Sequence, residues 1–343
     1  MRCGMLQAER IAEYLRSRLP QAAEIAVQNV FRIPGGASRE TWSFDARWRE
    51  DDSEVSGAFV LRRDPDASLL ESDRDTEFRV MDAVFSQGVP VPRMYWLEPD
   101  AKWLERPFFV MERVDGCEVS AQKLLFEPRF VSVQPRIAND FVDILARIHA
   151  LDWRALGLDL LAVPKDAGAC AMMEIEKWEA VVDRDSPEPQ PVLRAAFRWL
   201  RKNLPPPAQR VVLVHADYRT GNFLFDESGE IKAFLDWEMA HLGDPLEDVG
   251  WACIRPWRWA GDERIGGLMA RDQFYEAYEE ATDLKVNAEA VRFWEVLGNV
   301  KLAAIFITGA RSFCDGRTRS IMMALVGRNI NRLELEIMDL MGV

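Results

Sequence analysis

Two short apolar runs in this chain each lead within three residues to an acid, and that order of acids and amides is the chain's most telling feature. Leu213-Val214 leads into His215-Ala216-Asp217-Tyr218-Arg219-Thr220-Gly221-Asn222, and a later run ends in Leu235-Asp236-Trp237-Glu238. The first run sets an aspartate and an asparagine five positions apart on one loop. The second sets another aspartate at the end of the following strand. This order suits the positioning of a hydroxyl nucleophile and a divalent metal against a terminal phosphate, because phosphoryl transfer asks for positioned charge more than for covalent chemistry.

The chain has 343 residues, enough for two lobes around a sizeable core. Residues 6–19 read as a short amphipathic helix. Residues 29–33, 41–48 and 58–63 have the β-branched, aromatic and alternating character of strands. Residues 72–87 show helical spacing, with Phe78, Met81, Val84 and Phe85 on one face and Gly88 as a stop. Extended pieces follow at 93–97 and 108–113. Beyond Asp115-Gly116 the character changes. Segments 130–151, 171–182, 191–203, 271–281, 288–313 and 318–341 read as helices, interrupted by a small strand group at 211–214, 223–225 and 231–235. The architecture expected is α+β: a β-rich small lobe, residues 1–113, and a helical large lobe, residues 114–343.

Composition excludes several functions. The net charge is −13, from 43 basic and 56 acidic residues. That argues against a phosphate backbone or anionic lipid as partner, since either needs clustered Lys and Arg. It is compatible with a cationic small substrate and equally with an ordinary cytosolic enzyme. The five cysteines, Cys3, Cys117, Cys170, Cys253 and Cys314, are scattered without a CxxC spacing. We therefore expect no disulfide framework or zinc site and a reducing, cytoplasmic setting. No signal peptide is expected. The apolar stretch 291–313 carries Arg292, Glu295, Lys301 and Arg311, so it reads as a buried helix and not a membrane span.

Asp217 can orient a substrate hydroxyl and take its proton. Alone it would read as a loop-stabilising turn residue. Asn222 and Asp236 offer the hard oxygens that suit Mg²⁺. Glu238 can reach a second metal or the substrate, or simply be a solvated or capping acid. His215 reads as a neutral imidazole bonded to backbone beneath the loop, and His149 and His241 as structural. Gly35, Gly36 and Ser38 lie between two strands, where small residues let backbone N–H groups approach a phosphate; a plain turn gives the same pattern. Arg62 on the third strand and Glu77 in the next helix form a candidate pair that holds a nucleotide's inner phosphates or serves the structure alone. Asp248 is placed to tie the metal segment to the Asp217 loop. Trp251, Trp257 and Trp259 read as core or pocket wall. Arg255 and Arg258 among them are hard to bury without an anion, which makes them candidates for gripping a carboxylate, phosphate or coenzyme group.

These residues resemble the aminoglycoside phosphotransferase-like family, which has a protein-kinase-like bilobal fold. His215-Ala216-Asp217 through Asn222 is similar to its HxDxxxxN loop. Asp236-Trp237-Glu238 is similar to its metal segment, and Ile148-His149-Ala150-Leu151-Asp152 to a helix end of its large lobe. The likeness runs from about Asn29 to the last helix. It implies an ATP- and Mg²⁺-dependent kinase acting on a small hydroxylated molecule. Asp217 would be the catalytic carboxylate, Asn222 and Asp236 the Mg²⁺ ligands, and Met111, Glu112 and Val114 the hinge meeting the adenine. One departure stands out: the expected strand lysine is Arg62. Phe59-Val60-Leu61-Arg62-Arg63, Gly35-Gly36-Ala37-Ser38 and Lys301-Leu302-Ala303-Ala304-Ile305 look most like the kinase-like domains related to those fused to some acyl-CoA dehydrogenases. That branch implies a hydroxy acid or hydroxyacyl acceptor. The alternatives are an aminoglycoside or amino-sugar kinase and a nucleotide-binding pseudokinase, which Arg62 permits.

Overall fold

Five strands pair antiparallel in the order β1-β2-β3-β5-β4. They are β1 (Ala23–Arg32), β2 (Glu40–Glu50), β3 (Ser53–Arg63), β4 (Met94–Glu98) and β5 (Phe108–Glu112). The computed structural model describes residues 7–33, 39–51, 53–64, 73–259 and 263–343. The expected turn residues Gly35, Gly36 and Ser38 lie outside them.

The sheet's two faces follow from the period of two along each strand. On one face Trp42, Phe44, Phe59, Leu61, Phe108 and Val110 pack against Ile11, Tyr14 and Leu15 of α1 (Ala8–Arg18). On the other, Val60, Phe109 and Met111 meet Val80, Met81 and Val84 of α2 (Arg74–Ser86) and join the core of the helical lobe. Alternation along β3 therefore turns Arg62 toward α2, where Glu77 waits. Asp73 caps α2 by accepting the N–H groups of Asp75 and Thr76. The buried stripe of α2 is Glu77, Val80, Met81 and Val84. Phe85, expected on that face, is exposed instead, because the stripe runs through Glu77, Val80, Met81 and Val84 and Phe85 lies about 100° further round the helix.

The rest is mostly helical. After α3 (Ala121–Phe126) and a 3-10 turn come α4 (Gln134–His149), α5 (Cys170–Asp185) and α6 (Pro191–Lys202). The chain then forms β6 (Val212–Val214), β7 (Phe223–Phe225), β8 (Ile231–Phe234) and β9 (His241–Gly243). It closes with α7 (Leu246–Cys253), α8 (Arg271–Thr282), α9 (Ala288–Cys314), α10 (Ile321–Val326) and α11 (Ile330–Met341).

Two helix expectations shift. The segment expected to be helical from residue 130 becomes α-helical only at Gln134. Pro135 lacks an N–H and fits an α-helix only in its first turn, so residues 128–133 form a 3-10 turn instead. The expected helix 318–341 is broken at Gly327, where a Cβ would lie 2.9 Å from that of Ala310 on α9.

The core of the large lobe is α9. Nineteen of its 27 residues are buried, and they lie all around it, as expected of a helix packed on every side. Among the described residues no helix is long and apolar enough to cross a membrane. Gly250 of α7 and Gly298 of α9 let those two helices approach closely. A Cβ on Gly250 would lie 2.4 Å from the Cβ of Trp294. This contact brings Asp248 of α7 and Lys301 of α9 under the loop that follows β6.

Candidate active site

The loop after β6 turns sharply because Ala216 adopts a left-handed backbone, φ +66°. For a residue with a Cβ this costs about 1 kcal/mol or more, so the surroundings must hold it there. The Asp248 carboxylate accepts the N–H of His215 and the N–H of Ala216, each at 2.8 Å. Asp248 is in turn held by His149 Nε2 at 3.1 Å, and His149 Nδ1 lies 2.6 Å from the Tyr278 hydroxyl. Burial alone would raise the Asp248 carboxyl; the bond from His149 and the charge nearby outweigh it and keep it low. Asp248 thus holds the Asp217 loop to α7 and, through His149, to α4. Among the described residues its hydrogen bonds do not reach the Asp236 segment, and the expected tie between the two segments falls to His215 instead.

His215 joins the two motif segments. Its Nδ1 accepts the N–H of Asp217 at 3.2 Å, and its Nε2 donates to the Leu235 carbonyl at 3.1 Å. Both contacts require the neutral Nε2–H tautomer. Burial pushes its pKa below the ordinary value, although Asp248 and Asp217 oppose this.

The second convergence comes from a hairpin. β7 pairs with β8, Phe223 opposite Phe234. Extending that register by one residue puts Asn222 beside Leu235, and the Leu235 N–H donates to the Asn222 carbonyl at 2.7 Å. Asp236 follows at once, also left-handed at φ +61°. Asn222 Nδ2 donates to Asp217 Oδ2 at 2.6 Å and to the Asp217 carbonyl at 3.0 Å. Its amide oxygen is then the group it can offer a cation. An amide oxygen and a carboxylate on neighbouring backbone form a hard-oxygen donor pair that fits Mg²⁺.

The other Asp217 oxygen, Oδ1, accepts from Trp251 Nε1 at 2.9 Å and from Arg219 Nε at 3.0 Å. The aromatic cluster wraps this loop. Arg219 lies 4.5 Å over the Trp257 ring, and Trp259 Nε1 donates to Thr220 Oγ1 at 2.8 Å. From sequence Trp251 reads as core or pocket wall. It is buried, yet its one polar atom is spent on Asp217.

Arg62 meets Glu77 as expected, Nη1 to Oε1 at 2.7 Å. Its Nη2 also reaches Asp236 Oδ1 at 3.1 Å and lies 3.8 Å from Glu238. A fork of two nitrogens can bridge a helix carboxylate and the Asp236 segment; a single ammonium is less suited to that. Glu77 takes a second guanidinium, Arg39 Nε at 2.7 Å. Arg39 is absent from the sequence expectations; its signal is a lone cation directly after Gly35-Gly36-Ala37-Ser38 in the sequence. Of the hinge residues, Met111 and Glu112 end β5 opposite Val60 and Phe59, and Val114 follows, half-buried.

Arg255 and Arg258 part company. Arg258 is buried, but its anions come from the protein: Glu263 at 3.1 Å and Glu295 at 3.5 Å, with the Cys253 carbonyl at 2.9 Å. Contrary to the sequence expectation, Arg258 therefore needs no ligand's anion. Arg255 is exposed and lies 3.4 Å from Glu336. It borders a cavity of about 530 Å³ lined also by Trp257, Asn299, Phe306, Arg332 and Leu333. Asn299 Oδ1 and Trp257 Nε1 are buried without a hydrogen-bond partner among the described residues.

The phosphotransferase enzyme family matches residues 36–285 of this sequence. The chain belongs to that family. Among curated relatives, mouse acyl-CoA dehydrogenase family member 10 is 32% identical over 202 residues, covering 57% of this chain and 18% of that protein. Rat acyl-CoA dehydrogenase family member 11 is 29% identical over 310 residues, covering 85% of this chain and 38% of that protein. The chain thus spans well under half the length of these relatives. Among solved structures, a Ralstonia eutropha protein provisionally classed as an aminoglycoside phosphotransferase superposes with a TM-score of 0.74 at 24% identity, covering 98% of each chain. Choline kinase LicA from Streptococcus pneumoniae superposes at 0.60 with 15% identity, covering 96% of this chain and 99% of that one. At these identities the likeness shows the fold: an α+β, kinase-like, bilobal phosphotransferase.

Proposed function

We propose that this phosphotransferase is an ATP-dependent, Mg²⁺-requiring kinase that phosphorylates a hydroxyl of a small molecule in the cytoplasm. The observation that carries this reading is the hydrogen-bonded set around Asp217. Asn222 is bonded to the Asp217 carboxylate, and the β7–β8 register brings Asp236 next to Asn222. In this reading the nucleotide lies between residues 1–113 and residues 114–343. Gly35, Gly36 and Ser38 cover its phosphates, Arg62 braced by Glu77 faces them, and Met111, Glu112 and Val114 meet the base.

Asn222 and Asp236 would hold Mg²⁺, which when bound neutralises charge on the transferring phosphoryl group. Asp217 accepts the acceptor's hydroxyl hydrogen and takes the proton as the new P–O bond forms and the bond from the γ-phosphorus to the bridging oxygen breaks, releasing ADP. Trp251 and Arg219 on its other oxygen fix the carboxylate's plane, so that Oδ2 is the atom turned toward Asn222. Glu238 is held near Arg62 and supports the metal segment or the substrate.

For the acceptor we propose a hydroxy acid or hydroxyacyl compound. Arg255 and Arg332 at the rim of the cavity beside Trp257, with Phe306 and Leu333 in its wall, suit an anionic, partly apolar molecule. The names of the curated relatives point the same way. A cationic amino sugar is the second reading, favoured by the net charge of −13; aminoglycoside resistance in a strain expressing the protein would establish it. A nucleotide-binding pseudokinase is favoured by Arg62 alone, and tight MgATP binding without transfer to any hydroxylated compound would support it.

The test is transfer from γ-labelled ATP to a metabolite panel rich in hydroxy acids and hydroxyacyl-CoA compounds. Asp217→Ala is expected to lower turnover by about a thousandfold or more with the nucleotide still bound. Unchanged turnover on a verified acceptor would refute the assignment.

A further inference from the structure

One buried cation in the large lobe has no part in the chemistry described so far. Lys301, in the middle of α9, is 2% exposed. Its Nζ donates to the Ala216 carbonyl at 2.6 Å, lies 3.4 Å from Glu247 Oε1, and sits 4.5 Å over the Trp251 ring. Burying an ammonium is costly unless its surroundings compensate it. Here Glu247 supplies the charge and a carbonyl and an indole supply the rest.

The groups around it come from four elements: Glu174 and Lys177 from α5, His241 from β9, Glu247 from α7, and Lys301 itself from α9. Glu174, His241 and Glu247 bring ligand-type atoms within 4.8 Å of one another. That spacing could suit a metal, but the cations are already present. Lys177 lies 3.0 Å from Glu174, Lys301 neutralises Glu247, and His241 Nε2 lies 3.0 Å from Glu247 and 3.5 Å from Glu174. Burial works to lower the His241 pKa, yet Glu174 and then Glu247 outweigh it and raise it. The cluster is therefore an ion-pair network, and its outlet toward the active site is Lys301.

We propose that Lys301 is a positioning residue for Asp217, a reading that rests on Asp217 as the catalytic carboxylate. The peptide joining Ala216 to Asp217 is held at both ends. Lys301 takes its carbonyl, and His215 Nδ1 takes its N–H at 3.2 Å. With Asp248 holding the preceding two N–H groups, this peptide plane cannot flip out of the left-handed turn without breaking a buried bond. Lys301 also supports the indole whose Nε1 donates to Asp217 Oδ1 at 2.9 Å. It thus acts on the carboxylate by two routes without touching substrate.

The experiment compares three variants. Lys301→Met combined with Glu247→Gln removes the cation together with its counter-charge, so neither is left buried alone. Glu247→Gln by itself keeps the lysine and its bond to Ala216. Lys301→Arg restores a cationic donor. Two readouts are taken: hydrolysis of MgATP with water as acceptor, and the ¹⁵N-indole resonance of Trp251, assigned with Trp251→Phe. In the double variant we expect hydrolysis to fall about thirtyfold, MgATP affinity to stay within about twofold, and the Trp251 resonance to shift. Glu247→Gln and Lys301→Arg should each stay within about threefold of wild type. An unmoved Trp251 resonance, a double variant hydrolysing at the wild-type rate, or an equal loss in Glu247→Gln would overturn the proposal. A wild-type protein that binds no MgATP would defeat the kinase reading alone, since the indole readout needs no nucleotide.

Discussion

Arg62 shows what a single side chain can and cannot announce. Its partner Glu77 could be expected from sequence as an acid in the helix that follows its strand, although the expected stripe of Phe78, Met81, Val84 and Phe85 does not include it. Its reach to Asp236 could not, because that contact joins segments far apart in the chain. Arg258 failed as a sequence expectation for the same reason: a buried arginine demands anions, but sequence does not say that Glu295 provides one. Replacing Arg62 by Met should leave Glu77 with Arg39 alone and untether Asp236. We expect a loss of about 3 kcal/mol in urea unfolding, the usual scale for removing one partner from a buried pair. Arg62→Lys should recover part of it, because one ammonium is less suited to serving Glu77 and Asp236 together. Equal stability of Met and Lys variants would show that the charge does not matter at this site.

At the level of elements, most strands and long helices were legible from apolar periodicity or, for α9, from a long apolar run, but β1 begins at Ala23, six residues before the expected 29–33, because its first residues lack that pattern. α9 in particular is apolar enough to be recognised as buried, and it is. The short pieces were not legible. β9 has three residues and exists because β6 offers it an edge, and α10 and α11 separate because Gly327 is pressed against Ala310. The α7–α9 contact has the sharpest consequence. Gly250→Ala would drive a Cβ to within 2.4 Å of Trp294, with helix backbone close behind. Overpacking of this kind costs about 1–3 kcal/mol, and the shift would pass directly to Asp248. We expect a lower melting temperature together with a turnover loss that persists well below it. A variant that melts early but works normally when folded would separate α7 from the Asp217 loop.

Across the whole molecule, the meeting of the two motif segments could be expected from sequence, but the apparatus beneath them could not. Asp217, Asn222 and Asp236 are close in sequence order and joined by a hairpin. Their supports Lys301, Trp251 and Tyr278 arrive from helices that only the tertiary fold brings near. The charge network under the loop gives the fold a pH dependence. The folded pKa of His241 lies above its ordinary 6.5, through Glu174 and Glu247. Its stabilising contribution is therefore complete below the unfolded value and is lost as pH rises through the higher folded value. The stability gap between wild type and His241→Gln, measured by urea unfolding, should be widest near about pH 6 and shrink toward about pH 9. A gap that widens with pH would mean that the imidazole is neutral in the folded protein.

The central claim is that Asp217 and Asp236 serve one phosphoryl-transfer site. The most direct measurement is a double-mutant cycle of Mg²⁺-dependent transfer from ATP to an acceptor found in the panel, using Asp217→Ala, Asp236→Ala and the pair. Groups that act as one unit are strongly non-additive, so each single change should cost about a hundredfold or more and the pair little beyond the worse of the two. Losses that multiply, or an Asp217→Ala protein that turns over as fast as wild type, would contradict the account.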